Sequence, residues 1–113
     1  MIYKKFDIVK VPFPFTDKPT AKKRPSLVIS STDFQTNHDH CILAMITTAK
    51  QSDWIDDIEI TNISIAGVPV PSKIRFKIFT IDTSLILEKI GCLIEEDQHK
   101  VQQKLKYYFI NKN

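Results

Sequence analysis

Over most of the chain the apolar residues come in short runs, several alternating with a period of two, and polar, turn-rich stretches separate them. Ile8-Val9-Lys10-Val11-Pro12-Phe13 is β-branched and roughly alternating, which predicts a strand. Pro12 has no N–H to give a ladder, so an edge or a bend is expected there. Residues 16–23 hold Asp17, Pro19, Thr20 and three lysines and read as an exposed loop. Ser26-Leu27-Val28-Ile29-Ser30 is a continuous apolar run of the kind a buried strand makes. Residues 31–39 form a polar connection with a helical turn expected near Asp33-Phe34-Gln35. A third strand is predicted over 41–47, followed by a polar loop, 48–56, that carries the only tryptophan, Trp54.

Asp57-Ile58-Glu59-Ile60 alternates cleanly and predicts a fourth strand. Pro69 and Pro71 then bar ordinary ladder pairing at their own positions. The stretch 73–81 alternates charged and apolar residues over much of its length, which predicts a fifth strand with one wet face. A further extended piece covers 85–93, with a bend or bulge near Gly91. Only the last segment changes period. Val101, Leu105 and Tyr108-Phe109 fall at helical spacing, with Glu95, Glu96 and Asp97 at the start and lysines later, the charge order that suits a helix dipole. One terminal helix on a sheet of short strands predicts a β-rich domain, a small barrel or curled sheet with some α structure.

A chain of 113 residues is the size of one domain, so residues 1–113 are read as a single unit. It can bury roughly two-thirds of the surface its unfolded chain exposes, enough to fold alone. Aromatic and β-branched residues are spread throughout, which argues against disorder. The net charge of +3 leans mildly toward anionic partners and falls short of the basic excess of many duplex-DNA binders. Cys41 and Cys92 each sit inside an apolar run and read as buried free thiols in a reducing compartment, with no CxxC pair or zinc spacing. Met1-Ile2-Tyr3-Lys4-Lys5-Phe6 leads straight into Asp7 without an apolar core of secretory length, and no apolar run approaches membrane-spanning length. A cytoplasmic protein is expected.

Three constellations carry candidate chemistry. Lys22-Lys23-Arg24-Pro25 sets three cations at a loop end before a buried strand, and Pro25 biases Arg24 toward extended backbone. An arginine fork held there matches phosphate oxygens, although a solvated basic loop gives the same composition. Thr47-Thr48 stands where a strand leaves the core. A hydroxyl at such a place can donate to a developing phosphorane oxygen, or it can be an ordinary β-branched strand end. His38-Asp39-His40 offers acid–base groups, but its polar connection favours a solvated turn, and no third ligand is spaced to complete a metal set. With two glycines in the chain there is no phosphate-cradling loop, and no GxSxG pattern is present.

Taken together these segments resemble the MazF/PemK family of toxin–antitoxin ribonucleases. The likeness runs in order through Asp7-Ile8-Val9-Lys10-Val11-Pro12-Phe13-Pro14-Phe15-Thr16-Asp17, Lys23-Arg24-Pro25-Ser26-Leu27-Val28-Ile29-Ser30 and Leu43-Ala44-Met45-Ile46-Thr47-Thr48. It resumes at Ala66-Gly67-Val68-Pro69-Val70-Pro71-Ser72, Phe79-Thr80-Ile81-Asp82-Thr83-Ser84-Leu85 and Gly91-Cys92-Leu93. No single piece is decisive, but the collinear set is specific and spans nearly the whole chain.

The resemblance implies an SH3-like β-barrel of the MazF/PemK/CcdB kind with a C-terminal helix, a symmetric homodimer and a cognate antitoxin. Operator DNA would be contacted only as a complex with that antitoxin, and no membrane would be involved. It also implies cleavage of single-stranded RNA by the substrate's own 2′-OH, giving a 2′,3′-cyclic phosphate and a 5′-OH, with no metal or cofactor. The family's catalytic arginine falls on Arg24 and its threonine on Thr47. Phe15, Thr16, Asp17, Lys22, Lys23, Pro25, Thr48, Ser72 and Lys73 fall in the RNA-binding set. Some relatives carry an acid where Ser72-Lys73 stands here; Lys73 is then available for phosphate, and the general base is open between Asp17 and a loop histidine. Trp54 and Phe15 are candidates for stacking on unpaired bases or for packing. Two other functions remain compatible with such a chain: a protein-binding poison like the gyrase-directed CcdB toxins, and an RNA-binding module with little catalytic power.

Overall fold

A computed structural model describes residues 1–14 and 21–110. Its six strands are β1 (Asp7–Phe13), β2 (Lys22–Val28), β3 (His40–Thr48), β4 (Ile58–Glu59), β5 (Ser72–Asp82) and β6 (Glu88–Cys92). The helices are α1 (Thr32–His38), α2 (Ile63–Ala66) and α3 (Glu95–Phe109), with a 3₁₀ turn at Thr83–Leu85. The strands form one antiparallel sheet in the order β4-β5-β3-β2-β1-β6. The predicted β-rich architecture therefore takes the form of a curled six-stranded half-barrel with a C-terminal helix.

Successive residues of a strand point to opposite faces, and both faces of this sheet are apolar. Ile8, Leu27, Ala44, Ile46, Ile58 and Ile74 form one core with Leu93 and Val101, under α2 and α3. Their neighbours Val9, Val28, Cys41 and Leu43 form a second core with Tyr3, Val11, Ile81 and Ile86. Asp97, fully buried in the first turn of α3, accepts from the Thr61 N–H at 2.8 Å and the Thr61 hydroxyl at 2.7 Å. The acid placed by dipole logic thus also ties the helix to the segment leaving β4.

Several expectations are corrected. β2 begins at Lys22, so the basic triplet lies on a strand instead of a loop end. Its pairing with β1, Val11↔Arg24 and Phe13↔Lys22, satisfies the backbone while the side chains stay in solvent. β1 lies inside the sheet, yet β6 pairs only with Asp7 to Lys10, which leaves the flank at Pro12 open. The connection 31–39 holds a full helix, α1. Ser31 caps it by accepting from the Phe34 N–H, and Asp39 ends it in the left-handed region at φ 56°. Buried Gln35 on that helix accepts from the Tyr3 N–H and donates to the Met1 carbonyl, anchoring the N-terminus. The predicted fourth strand shrinks to two residues, and α2, capped by Asn62, was not foreseen. Cys41 is buried but Cys92 is exposed; both are free thiols.

The bulge near Gly91 is present. Ile8 pairs with Gly91 and Val9 with Lys89, so Ile90 is the extra residue. Gly67 and Gly91, the chain's two glycines, meet at this junction. A Cβ on Gly67, at φ +76°, would lie 1.9 Å from the Ile90 carbonyl oxygen, and one on Gly91 would lie 2.3 Å from the Ala66 carbonyl.

Candidate functional site

Arg24 is exposed on β2 and lies over the Phe13 ring, 5.5 Å from its centroid, so the neighbouring strand orders its guanidinium. The β2–β3 ladder runs from Val28↔Leu43 to Ser26↔Met45. There it meets Pro25, which has no N–H to give. Continuing that register by two residues sets Arg24 level with half-buried Thr47. Thr47 is itself paired with Lys73, and Thr48 with Ser72. Cross-strand partners project to the same face, so Thr47 and Lys73 share a face of the sheet, and Arg24 falls on the line of the β2–β3 register two residues past its last pair. Beside it a cleft of about 370 Å³ is lined by Thr48, Ala49, Lys50, Val70 and Pro71. Phe15, Thr16 and Asp17 lie outside the described residues. Lys22 and Lys23 are exposed and Pro25 is half-buried; Ser72 is buried, its hydroxyl donating to the Val70 carbonyl at 2.8 Å.

The wet face predicted for β5 is not wet where it matters. Lys73 and Arg75 are buried, because the 49–57 loop folds back over them. The Lys73 ammonium donates to the Gln51 carbonyl at 2.6 Å and to Asp53 at 2.7 Å, with Asp57 at 3.6 Å. The Arg75 guanidinium grips Asp57 through two nitrogens, at 3.2 and 2.9 Å, donates to the Ser52 carbonyl at 2.5 Å, and lies 4.9 Å from the Trp54 ring. Asp57 in turn accepts from the Trp54 N–H at 2.9 Å. Sequence reading passed over Arg75, Asp53 and Asp57. The signal available was two cations on one strand matched by Asp53, Asp56 and Asp57 in a nearby loop. The loop's outer side is fixed as well, since Asp56 pairs with Lys104 at 2.7 Å and accepts from the Tyr108 hydroxyl, both on α3.

Hydrogen bonds from Arg75 hold the Asp57 carboxyl below the ordinary range, against the opposing effect of burial. A carboxyl so depressed stabilises the fold above the unfolded value of about 4, and that contribution is lost as pH falls through the lowered folded value. Thermal melts followed by circular dichroism from pH 7 to pH 2 should therefore show stability dropping in the acid range. Asp57→Asn should be less stable at neutrality and lose less on acidification. Parallel curves for the two proteins would remove Asp57 from the account.

His38-Asp39-His40 is a helix terminus. Asp39 is the left-handed cap of α1, and the His40 Nδ1 lies 2.7 Å from the His38 carbonyl. Among the described residues no three potential metal ligands gather, and no helix is long and apolar enough to cross a membrane.

Solved structures share this fold. MazF in a MazE–MazF complex from Deinococcus radiodurans superposes with a TM-score of 0.74 at 13% identity, over 99% of each chain. The Mycobacterium tuberculosis toxin MazF-mt6 gives 0.72 at 17% identity, over 95% of this chain and 99% of that one. A mycobacterial endoribonuclease in complex with its cognate antitoxin gives 0.69 at 10%, over 93% and 90%. At such identities the likeness is one of fold, and no curated protein matches the sequence. The sequence model for PemK-like, MazF-like toxins of type II toxin–antitoxin systems, however, matches residues 4–109, and the chain belongs to that family.

Proposed function

We propose that this chain, as a single domain over 1–113, is a metal-independent endoribonuclease that cuts single-stranded RNA by attack of the 2′-OH on the adjacent phosphate. The observation that carries the reading is the placement of Arg24: exposed, ordered against Phe13, and two residues past the last β2–β3 pair on the register line that leads to Thr47. RNA supplies its own nucleophile, so the protein's task is to align the 2′-OH with the leaving oxygen and to stabilise charge gathering on phosphorus. Arg24 provides that charge and Thr47 a neutral donor. Arginine is too basic to serve readily as a base near neutrality, so Arg24 is assigned stabilisation and not proton transfer. The products are a 2′,3′-cyclic phosphate and a 5′-OH. Incubating the protein with a long single-stranded RNA in excess EDTA, beside Arg24→Ala, tests this. Cleavage by the parent with those end groups supports it; no cleavage across several RNA sequences overturns it.

The same reading assigns a cytoplasmic toxin restrained by a cognate antitoxin, which contacts operator DNA only in that complex. The antitoxin-bound relatives support this partnership. A homodimer is favoured by two surface features. β4 pairs with β5 only at Lys73 and Ile74, so the outer flank of β5 beyond them has no strand partner among the described residues. Next to it Trp54, Ile55, Tyr108 and Phe109 are exposed around an apolar cleft of about 530 Å³. Sedimentation at micromolar concentration should give the mass of a dimer, and a monomer there would count against it.

A further inference from the structure

Lys73 is the cross-strand partner of Thr47, yet its ammonium is spent on the protein's own loop. Its counterion is unusual. Asp57 is held bidentately by Arg75, so the close carboxylate at Lys73 is that of Asp53. The two side chains of this pair differ sharply in exposure: 3% for Lys73 and 89% for Asp53. Asp53 therefore pairs with a buried cation while itself standing almost wholly in solvent. The rest of the loop does not depend on it, because Gln51, Ser52 and Asp57 are gripped by Lys73 and Arg75 independently. A rotation of the Asp53 side chain would free one pairing position on the Lys73 ammonium, while the Gln51 carbonyl and Asp57 still hold it and the loop stays pinned.

We propose that Lys73 is a masked phosphate subsite, with the Asp53 carboxylate as a resident anion that a backbone phosphate of the substrate displaces. The proposal rests on the ribonuclease reading and adds to it a subsite and a gate. Exchange of one oxyanion for another keeps the buried ammonium paired, so the swap avoids the cost of an unpaired buried charge. Because Lys73 is one strand over from Thr47, the subsite takes a phosphate neighbouring the scissile one and sets the path of the strand across the sheet. It also explains how a lysine can stand at Ser72-Lys73 without leaving an unpaired cation in the free protein.

The test uses the full chain and a 2′-O-methylated, uncleavable copy of an RNA that the wild type cuts, with binding measured by fluorescence anisotropy between 50 and 200 mM salt. Each phosphate neutralised on a single strand contributes about 0.7 to the slope of log K against log salt. Asp53→Asn should bind severalfold tighter at low salt and steepen the slope by about 0.7, since Lys73 becomes available without competition. It should raise kcat/KM through a lower KM. Adding Lys73→Gln to Asp53→Asn should abolish the gain, and Asp33→Asn, which removes the same charge from α1, should not reproduce it. An Asp53→Asn protein that binds no tighter, with an unchanged slope, would make Asp53 a structural clamp and overturn the subsite while wild-type cleavage left the ribonuclease reading intact. A gain that survives Lys73→Gln would overturn it too, by assigning the effect to net charge. A wild type that neither cuts nor binds RNA would overturn the parent reading and the subsite with it.

Discussion

Arg24→Ala should cut RNA about a hundred- to a thousand-fold more slowly than the wild type, the usual cost of removing one donor aimed at developing transition-state charge. The loss should appear in kcat, because the interaction strengthens as charge moves onto the phosphorane oxygens. Stability should barely change. The side chain is exposed, and its ordering contact with Phe13 is a surface cation–π pair, worth about 0.5–1 kcal/mol. Arg24→Lys keeps the charge but loses the planar fork, so it should recover part of the rate and not all of it. Single-turnover cleavage in EDTA, with melting curves as control, separates these effects. An Arg24→Ala protein that cuts at the wild-type rate would move the active centre elsewhere. One in which neither form cuts but both bind RNA would favour the binding module, and one that ignores RNA altogether would favour a protein-directed poison.

A large effect on folding should come from a single added methyl group, at Gly91. A Cβ there would meet the Ala66 carbonyl carbon and oxygen at 2.3 Å and the Ile65 oxygen at 2.4 Å. These are main-chain atoms of α2, and they cannot swing aside as a long side chain would. Gly91→Ala should cost about 3 kcal/mol, the upper part of the range for overpacking. In a domain of this size that lowers the melting temperature by about 10 °C or more. Calorimetry would show it, and an unchanged melting temperature would mean that α2 is not seated on β6 as described. Ile65 and Ala66 also face the bulge at Ile90, so the cost should come with local loosening of β6.

The strands that sequence patterning found were those whose apolar positions serve the two cores: β1, the second half of β2, β3, much of β5, and β6 within its extended piece. The helices it shortened or missed, α1 and α2, are short and carry no apolar period. α1 is Thr-Asp-Phe-Gln-Thr-Asn-His, and its signals were its ends, Ser31 and Asp39. α2 is one turn whose stop signal, Gly67, doubles as a contact residue. The start of β2 was hidden because Lys22, Lys23 and Arg24 look like a loop and pair like a strand. At the site, Arg24 and Thr47 could be named from their neighbours in sequence, but their relative placement depends on register, which patterning does not give. Lys73 and Arg75 were read as solvated because alternation reports which side chains share a face, and a loop can cover that face. Only the acids at 53, 56 and 57 carried a hint of it.

The sheet also has a part that stands outside its body. Beyond Lys10 on β1 and before Ser26 on β2 the two strands pair, among the described residues, with each other and with no other strand. This ribbon carries Phe13, Lys22, Lys23 and Arg24. Few core residues depend on it, so it belongs to the low-stability end of the molecule, where amides exchange first. Phe13, Lys22 and Lys23 can therefore vary at little risk to folding, while Arg24 stays fixed by the activity proposed for it. The curled body behind it does not hang on those side chains, so a change in the ribbon alters what the protein presents to solvent before it alters how the protein folds.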